Sequence, residues 1–405
     1  MYDIYKIRED FPILSLPIKG KPCVFLDTAA SAQKPICVIE KMSNIYTHTY
    51  ANVHRGSYYF SEELTYEYEN ARKTVQKFIN AKSDHEIVFT RNATETINLT
   101  AATYGEKFLS AGDEVLISEA EHHANLVPWQ ILCEKKGATL KVFKISDEGD
   151  FVAGNFEKEL SEKTKIVAIT AMSNVLGTIF PIKKIVEKAH NAGAKVLVDA
   201  CQFAVHHKID VQDFDCDFLA FSGHKTYGPT GIGVLYGKLD LLEQMPPYQF
   251  GGDMVGKVTY QKTTFDEPPA RFEAGTPAIV QAIGLAEALK YMQNLGLDDI
   301  TAHERELTEY TTEKLTEIDG LKIVGTAQNK GGVFSFSIDG IHPQDLAFIL
   351  DKEGVALRVG HHCAEPLVNR MGYTSLARAS LGLYSSKEDI DIFINSLHKA
   401  KSFLR

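Results

Sequence analysis

The chain has no C-x-x-C pair, no long apolar run and no excess of basic charge. Its six cysteines, Cys23, Cys37, Cys133, Cys201, Cys216 and Cys363, are scattered over 405 residues. Such spacing builds neither a disulfide framework nor a zinc site. The default for each is a small buried apolar residue. Apolar stretches such as Ile166–Ile169 have the length of a buried strand, far short of a bilayer span. The N-terminal stretch has no apolar core of signal-peptide length, so a cytoplasmic protein is expected. Acidic residues outnumber basic ones, 53 to 43, for a formal net charge of −10. A mildly acidic surface speaks against nucleic acid as the main partner, which needs a basic face. A small anionic substrate needs only a few local cations and stays open. No G-x-G-x-x-G follows a strand, because Gly228-Pro-Thr-Gly-Ile-Gly has its glycines in another order. That speaks against a nicotinamide dehydrogenase.

What is present is an ordinary globular balance, 44% hydrophobic and 24% charged. The length exceeds one small core and predicts a large domain plus a smaller one. Strands are expected at Val24–Asp27, Glu86–Thr90, Glu114–Ser118, Thr139–Phe143, Lys165–Ala171, Lys195–Asp199, Asp217–Ser222 and Gly233–Tyr236. Helical patterns lie between several of them, for example Ile182–Asn191 with Gly193 as its stop. Such alternation predicts an α/β fold with a mostly parallel sheet under helices. A long helix after Gly275-Thr-Pro should bury Ile279, Ile283, Ala286 and Leu289 on one face. Beyond Leu295-Gly-Leu the pattern becomes helix, strand, strand, helix, with strands at Val333–Ile338 and Val355–Val359. Ser386 to Asp389 reads as a capping box opening the last helix. The expected division is a large domain, 26–295, and a smaller α+β domain formed by 1–25 with 296–405.

The chemistry starts from Phe221-Ser-Gly-His-Lys225. A lysine just past a buried strand projects its amine into a cleft. Strand Lys195–Asp199 ends in a carboxylate, and ligands of doubly wound sheets gather at the carboxyl ends of strands. Alone, Lys225 reads as a surface lysine and Asp199 as a helix cap. Together they offer what pyridoxal phosphate needs, an amine to hold it and an acid for its pyridinium nitrogen. Ala93 and Thr94 open a helix after the strand ending at Thr90, where free N–H groups suit a phosphate. Either His122 or His123, in Glu121-His-His-Ala-Asn125, would stack on the ring. In Arg358-Val-Gly-His-His-Cys-Ala364, cationic neighbours single out Cys363 as a reactive thiol. Arg378 suits a substrate carboxylate or a structural salt bridge.

On these residues the chain closely resembles the SufS-type, or group II, cysteine desulfurases, which also act as selenocysteine lyases. The resemblance runs from Leu26-Asp-Thr-Ala-Ala-Ser-Ala-Gln-Lys-Pro35 to the final helix. Its most specific pieces are Asn52-Val-His-Arg-Gly56, Glu121 to Asn125, Ser173-Asn-Val-Leu-Gly177, Ser222 to Lys225, Arg271-Phe-Glu-Ala-Gly-Thr-Pro277 and Arg358 to Ala364. The last separates group II from group I. The resemblance implies a fold-type I pyridoxal-phosphate transferase with a seven-stranded sheet, working as a homodimer. It implies that Lys225 links the cofactor, His122 stacks on it, Asp199 meets the ring nitrogen and Gln202 the ring hydroxyl. Thr94, Ser222 and His224 would hold the phosphate, joined by Thr276 of the other subunit. Asn174 and Arg378 would hold the carboxylate of L-cysteine with Arg358 close by, and Cys363 would take the sulfur. A SufE-like or SufU-like protein would collect it for iron–sulfur cluster assembly. Three positions depart from the family pattern: Tyr58 stands for a common His, Ala93 for Thr, and Cys201 for a residue without a thiol. Cys201 is expected to pack. His342 before Pro343 is expected to cap a helix. The other readings are a different fold-type I enzyme, such as an aminotransferase or kynureninase relative, and a metal-binding scaffold. Cys363 in its setting argues against the first and the lack of zinc spacing against the second.

Overall fold

The computed structural model describes residues 2–404. Its largest sheet has seven strands: β1 (Ile87–Thr90), β2 (Glu114–Ser118), β3 (Thr139–Phe143), β4 (Thr164–Thr170), β5 (Lys195–Asp199), β6 (Phe218–Ser222) and β7 (Gly233–Gly237). Their order across the sheet is β1-β7-β6-β5-β4-β2-β3. The pairs from β6 to β3 are all parallel. β7 is antiparallel to both of its neighbours. The sheet is therefore mixed, and β1 runs the same way as β6. Six carboxyl ends share one edge, and the site lies there.

The local causes are ordinary. The apolar runs of β4 to β6 are buried along nearly their whole length, as a sheet covered on both faces requires. Parallel neighbours need a crossover. Between β4 and β5 it is the helix Ile182–Asn191, which buries Ile182, Ile185, Val186 and Ala189 at helical spacing. Gly193 takes φ +84° just beyond it, a conformation that glycine adopts without strain. The long helix Ile279–Leu295 differs from the one-faced expectation. It also buries Val280, Ala282, Leu285 and Ala288, on other faces. Gly284 lets it approach closely, since a Cβ there would lie 2.9 Å from Met42 Sδ.

A second sheet holds β8 (Leu321–Val324), β9 (Val333–Ile338), β10 (Arg358–Gly360) and β11 (Leu376–Ser380). Its order is β8-β9-β11-β10, all antiparallel. The single strand expected over Val355–Val359 is broken at Leu357. Val355–Ala356 pairs in parallel with Val24–Phe25, while Arg358–Gly360 turns to β11. Val24 and Leu26 thus pack in one core with Phe334, Phe336 and Leu397. Asp27 forms a bridge to Ser380 at the end of β11. The last helix, Lys387–Leu404, is opened by the expected reciprocal cap: Asp389 N–H donates to Ser386 Oγ, and Ser386 N–H to Asp389 Oδ2. Among the described residues, no helix is long and apolar enough to cross a membrane.

Candidate active site

A cavity of about 460 Å³ opens at the carboxyl edge of the large sheet. It is lined by Thr94, His122, Asn174, Asp199, Cys201, Gln202, Ser222, His224, Lys225, Arg358, Cys363 and Arg378, among others. Lys225 is placed by the turn after β6, where Gly223 N–H donates to Ile232 O and Lys225 N–H to Ser222 O. Gly223 is required by closeness, since a Cβ would stand 2.5 Å from Ile232 Cγ2. Asp199 ends β5 and is 4% exposed. Its Oδ1 accepts the Cys201 N–H at 3.0 Å. Beside it Gln202 donates Nε2–H to Ala29 O at 2.7 Å, while its Oε1 is buried with no partner.

The turn after β1 meets the same cavity. Asn92 caps the helix Ala93–Thr100 by accepting from Glu95 N–H. Ala93 N–H donates to Ser222 Oγ at 2.9 Å. Gly233, opening β7, has no room for a side chain, because a Cβ would lie 2.5 Å from Asn92 Cα. The turn is thus pressed against the sheet with Thr94, Ser222 and His224 around it. Burial and the neighbouring Lys225 and Lys34 push the His224 pKa down to about 4. His122 follows β2. Its Nδ1 accepts the Ala124 N–H at 3.0 Å, which leaves its proton on Nε2. Burial and the Lys225 charge push it down to about 4, so the ring is neutral.

These groups fit pyridoxal phosphate. The helix start with a hydroxyl and an imidazole suits a phosphate. The buried Asp199 carboxylate suits a pyridinium, the orphaned Gln202 oxygen suits a hydroxyl, and the neutral His122 ring gives an uncharged stacking face.

Two arginines close the other end. Arg358 and Arg378 are register partners on β10 and β11. Asp27 bridges them, taking Arg358 Nε at 3.1 Å and Nη2 at 2.9 Å, and Arg378 Nη2 at 3.4 Å. Arg378 is 2% exposed and donates Nη1–H to Asn174 O at 3.0 Å. Its Nε–H is buried with no partner. Burial, only partly offset by Asp27, pushes its pKa down to about 10. A buried guanidinium with a free donor in a cavity suits a carboxylate ligand.

Cys363 is the one exposed cysteine of the six. It follows β10 in a loop where His362 and Cys363 have φ of 52° and 56°. A left-handed conformation costs a non-glycine residue roughly 1–2 kcal/mol, so the loop must be held. Asn174 Nδ2 donates to His362 O at 2.6 Å, and His123 N–H to Cys363 O at 2.7 Å. His362 is buried with Nδ1 unpartnered. Burial and the Arg378 charge push it down to about 3. Cys201, in contrast, is a buried thiol whose pKa is raised by burial and by Asp199.

Of the two histidines left open by the sequence, His122 lines the cavity and His123 turns to the cysteine loop. Thr276 does not line this cavity. It lies on a separate cleft of about 540 Å³ with Tyr46, Tyr68 and Phe272, on a segment anchored by the buried Arg72–Glu273 pair at 2.7 Å. Tyr58 is exposed. His342 caps the helix Pro343–Lys352 through Nδ1. Asp27 and Glu121 make contacts at the site for which no role was expected from sequence, and His362, expected among the cationic neighbours of Cys363, is instead kept neutral by burial. For Asp27 a signal existed, since two arginines near one site call for a counter-charge.

The profile of the Aminotransferase class-V family matches residues 24–393. The chain is 48% identical, over 98% of its length and 98% of the relative's, to a probable cysteine desulfurase of Halalkalibacterium halodurans. It is 46% identical, over 99% of its length, to a cysteine desulfurase of Synechococcus elongatus, of which it spans 64%. Its structure superposes on the cysteine desulfurase CsdA of Escherichia coli, in the S-sulfonic acid form, with a TM-score of 0.92 at 38% identity, covering all of both chains. The chain belongs to the class-V aminotransferase family, and its cofactor is pyridoxal phosphate.

Proposed function

We propose that the chain is a cysteine desulfurase of the SufS, or group II, type, converting L-cysteine to L-alanine and holding the sulfur as a persulfide on Cys363. The observation that carries this reading is the place of Cys363. It is the exposed thiol among six, on the rim of the cavity that holds Lys225 and Asp199. The named relatives point the same way.

Bound pyridoxal phosphate supplies the electron sink that makes the substrate Cα proton removable. Lys225 would hold the cofactor, and its amine would carry the proton from Cα. Asp199 would meet the ring nitrogen, Gln202 the ring hydroxyl, and His122 would stack on the ring. Thr94, Ser222 and His224 would hold the phosphate, with Thr276 of a second copy completing the site across a homodimer. Arg378 and Asn174, with Arg358 beside them, hold the substrate carboxylate. The Cys363 thiolate attacks the substrate sulfur. The sulfur–carbon bond breaks with its electron pair left on carbon, and a proton completes the alanine methyl. The persulfide then passes to a SufE-like or SufU-like acceptor for iron–sulfur cluster assembly in the cytoplasm, and selenocysteine is a second substrate. In the same reading 26–295 form the cofactor-binding domain, and 1–25 with 296–405 the smaller domain that carries Cys363.

The test is mass spectrometry of Cys363 after incubation with cysteine. One added sulfur on that residue, with alanine released, is expected. Amino-group transfer without alanine would point to an aminotransferase instead.

A further inference from the structure

We infer that His123 is a positioning residue for Cys363, acting as a latch between the His122 turn and the cysteine loop; this rests on the desulfurase reading above. Four observations carry it. The loop apex holds two successive left-handed residues, His362 and Cys363, so it does not keep its shape unaided. The helix Glu365–Arg370 begins just after it, and its cap residue Ala364 has no side chain able to accept a hydrogen bond. The first N–H of that helix, from Glu365, is instead accepted by His123 Nε2 at 3.0 Å. The backbone of the same residue donates to Cys363 O at 2.7 Å.

One residue thus grips the loop on both sides of the Sγ-bearing position. Asn174 holds His362 O from a third direction. With Nε2 engaged as an acceptor, the ring carries its proton on Nδ1. His123 therefore works by holding rather than by moving a proton. Its neighbour His122 faces the cofactor cavity, so the two rings divide the labour, one for the cofactor and one for the nucleophile.

The experiment uses the holoenzyme and compares His123→Ala with His123→Gln, whose side-chain oxygen can replace Nε2 as acceptor. Misplacing a reacting group by about 1 Å costs up to ~100-fold in rate. His123→Ala should lower kcat for alanine formation roughly ten-fold or more, with KM for cysteine within about two-fold and the visible cofactor spectrum unchanged. Hydrogen exchange at the Glu365 amide should quicken in His123→Ala. His123→Gln should restore both kcat and protection. The inference is overturned if His123→Ala keeps its kcat, if KM rises in step with the loss, or if either variant leaves the Glu365 amide unprotected yet turns over normally. Wild type that releases no alanine from cysteine overturns the functional reading and this inference with it. Active wild type with equally active His123→Ala overturns the inference alone.

Discussion

Replacing Glu121 by Gln changes one atom and reverses one hydrogen bond, at a point where the chain cannot adjust. Glu121 is 3% exposed. Its Oε1 accepts from Ser118 Oγ and, at 3.0 Å, from Thr170 N–H, tying the ends of β2 and β4 together. Its Oε2 accepts from Asn125 Nδ2 at 2.8 Å. Asn125 Oδ1 in turn accepts from Trp129 Nε1 at 3.0 Å. An indole only donates, so Trp129 fixes the Asn125 amide, and Asn125 demands an acceptor at position 121. A Gln amide satisfies one end and fails the other. Turned one way, its NH2 faces Asn125 Nδ2; turned the other, it faces Thr170 N–H. Each buried donor left unpaired costs about 1–3 kcal/mol, so the facing pair amounts to about 2–6 kcal/mol. An unfolding entropy of about 2.1 cal/mol/K per residue over 405 residues converts this to a Tm lower by roughly 2–7 °C. The double variant Glu121→Gln/Asn125→Asp moves the carboxyl by one link and restores every partner. The relocated carboxylate would accept from the new amide at position 121 and from Trp129, with still one buried carboxyl. Calorimetry of the singles and the double forms the assay. A double variant no more stable than Glu121→Gln would refute the argument from hydrogen-bond direction.

Other outcomes follow from the same geometry. Asp27→Asn sets an NH2 group against Arg358 and Arg378, so KM for cysteine should rise about ten-fold, or ~1.4 kcal/mol, with a smaller change in kcat; an unchanged KM in steady-state alanine assays would rule this out. His122 and His362 titrate at about 4 and 3 in the folded chain and near 6.5 unfolded. Their contribution to stability is whole above pH 6.5 and is lost as the pH falls through those folded values, because the unfolded chain binds the protons. Urea midpoints should therefore drop between pH 7 and pH 5, and a flat profile would contradict the burial of these rings. Cys363→Ser should keep the cofactor spectrum and lose alanine release from cysteine, while Cys201→Ser stays active; the reverse pattern would mean that the nucleophile is Cys201.

The large sheet was legible because its strands are apolar runs with sharp edges. Glu114–Ser118, Thr139–Phe143 and Lys195–Asp199 are strands over the expected residues. The second sheet was less so. Strand Leu376-Ala-Arg-Ala-Ser380 is buried along its whole length, yet its small residues and central arginine give no apolar alternation. Arg378 is buried there and lines the cavity. The break at Leu357 was equally silent, because it depends on Val24–Phe25, more than three hundred positions away, claiming Val355 and Ala356. Pairings of that kind have no local signature.

The site divides along the same line. Lys225, Asp199, His122 and Cys363 sit in short segments whose neighbours already suggest the chemistry. Asp27, Glu121 and His123 act through partners that only folding brings near: two arginines on other strands, the ends of β2 and β4, and the amide of Glu365. The two thiols in the cavity show how far local context reaches. Cys201 lies two positions from Asp199 and is buried beside it, so desolvation and a like charge both oppose its thiolate. Cys363 is exposed and lines the same cavity as Arg358 and Arg378. One neighbour, Asp199, argues against the first thiol in the sequence itself. Arg358 stands near the second in the sequence itself, and Arg378 joins it only through the register of β10 with β11.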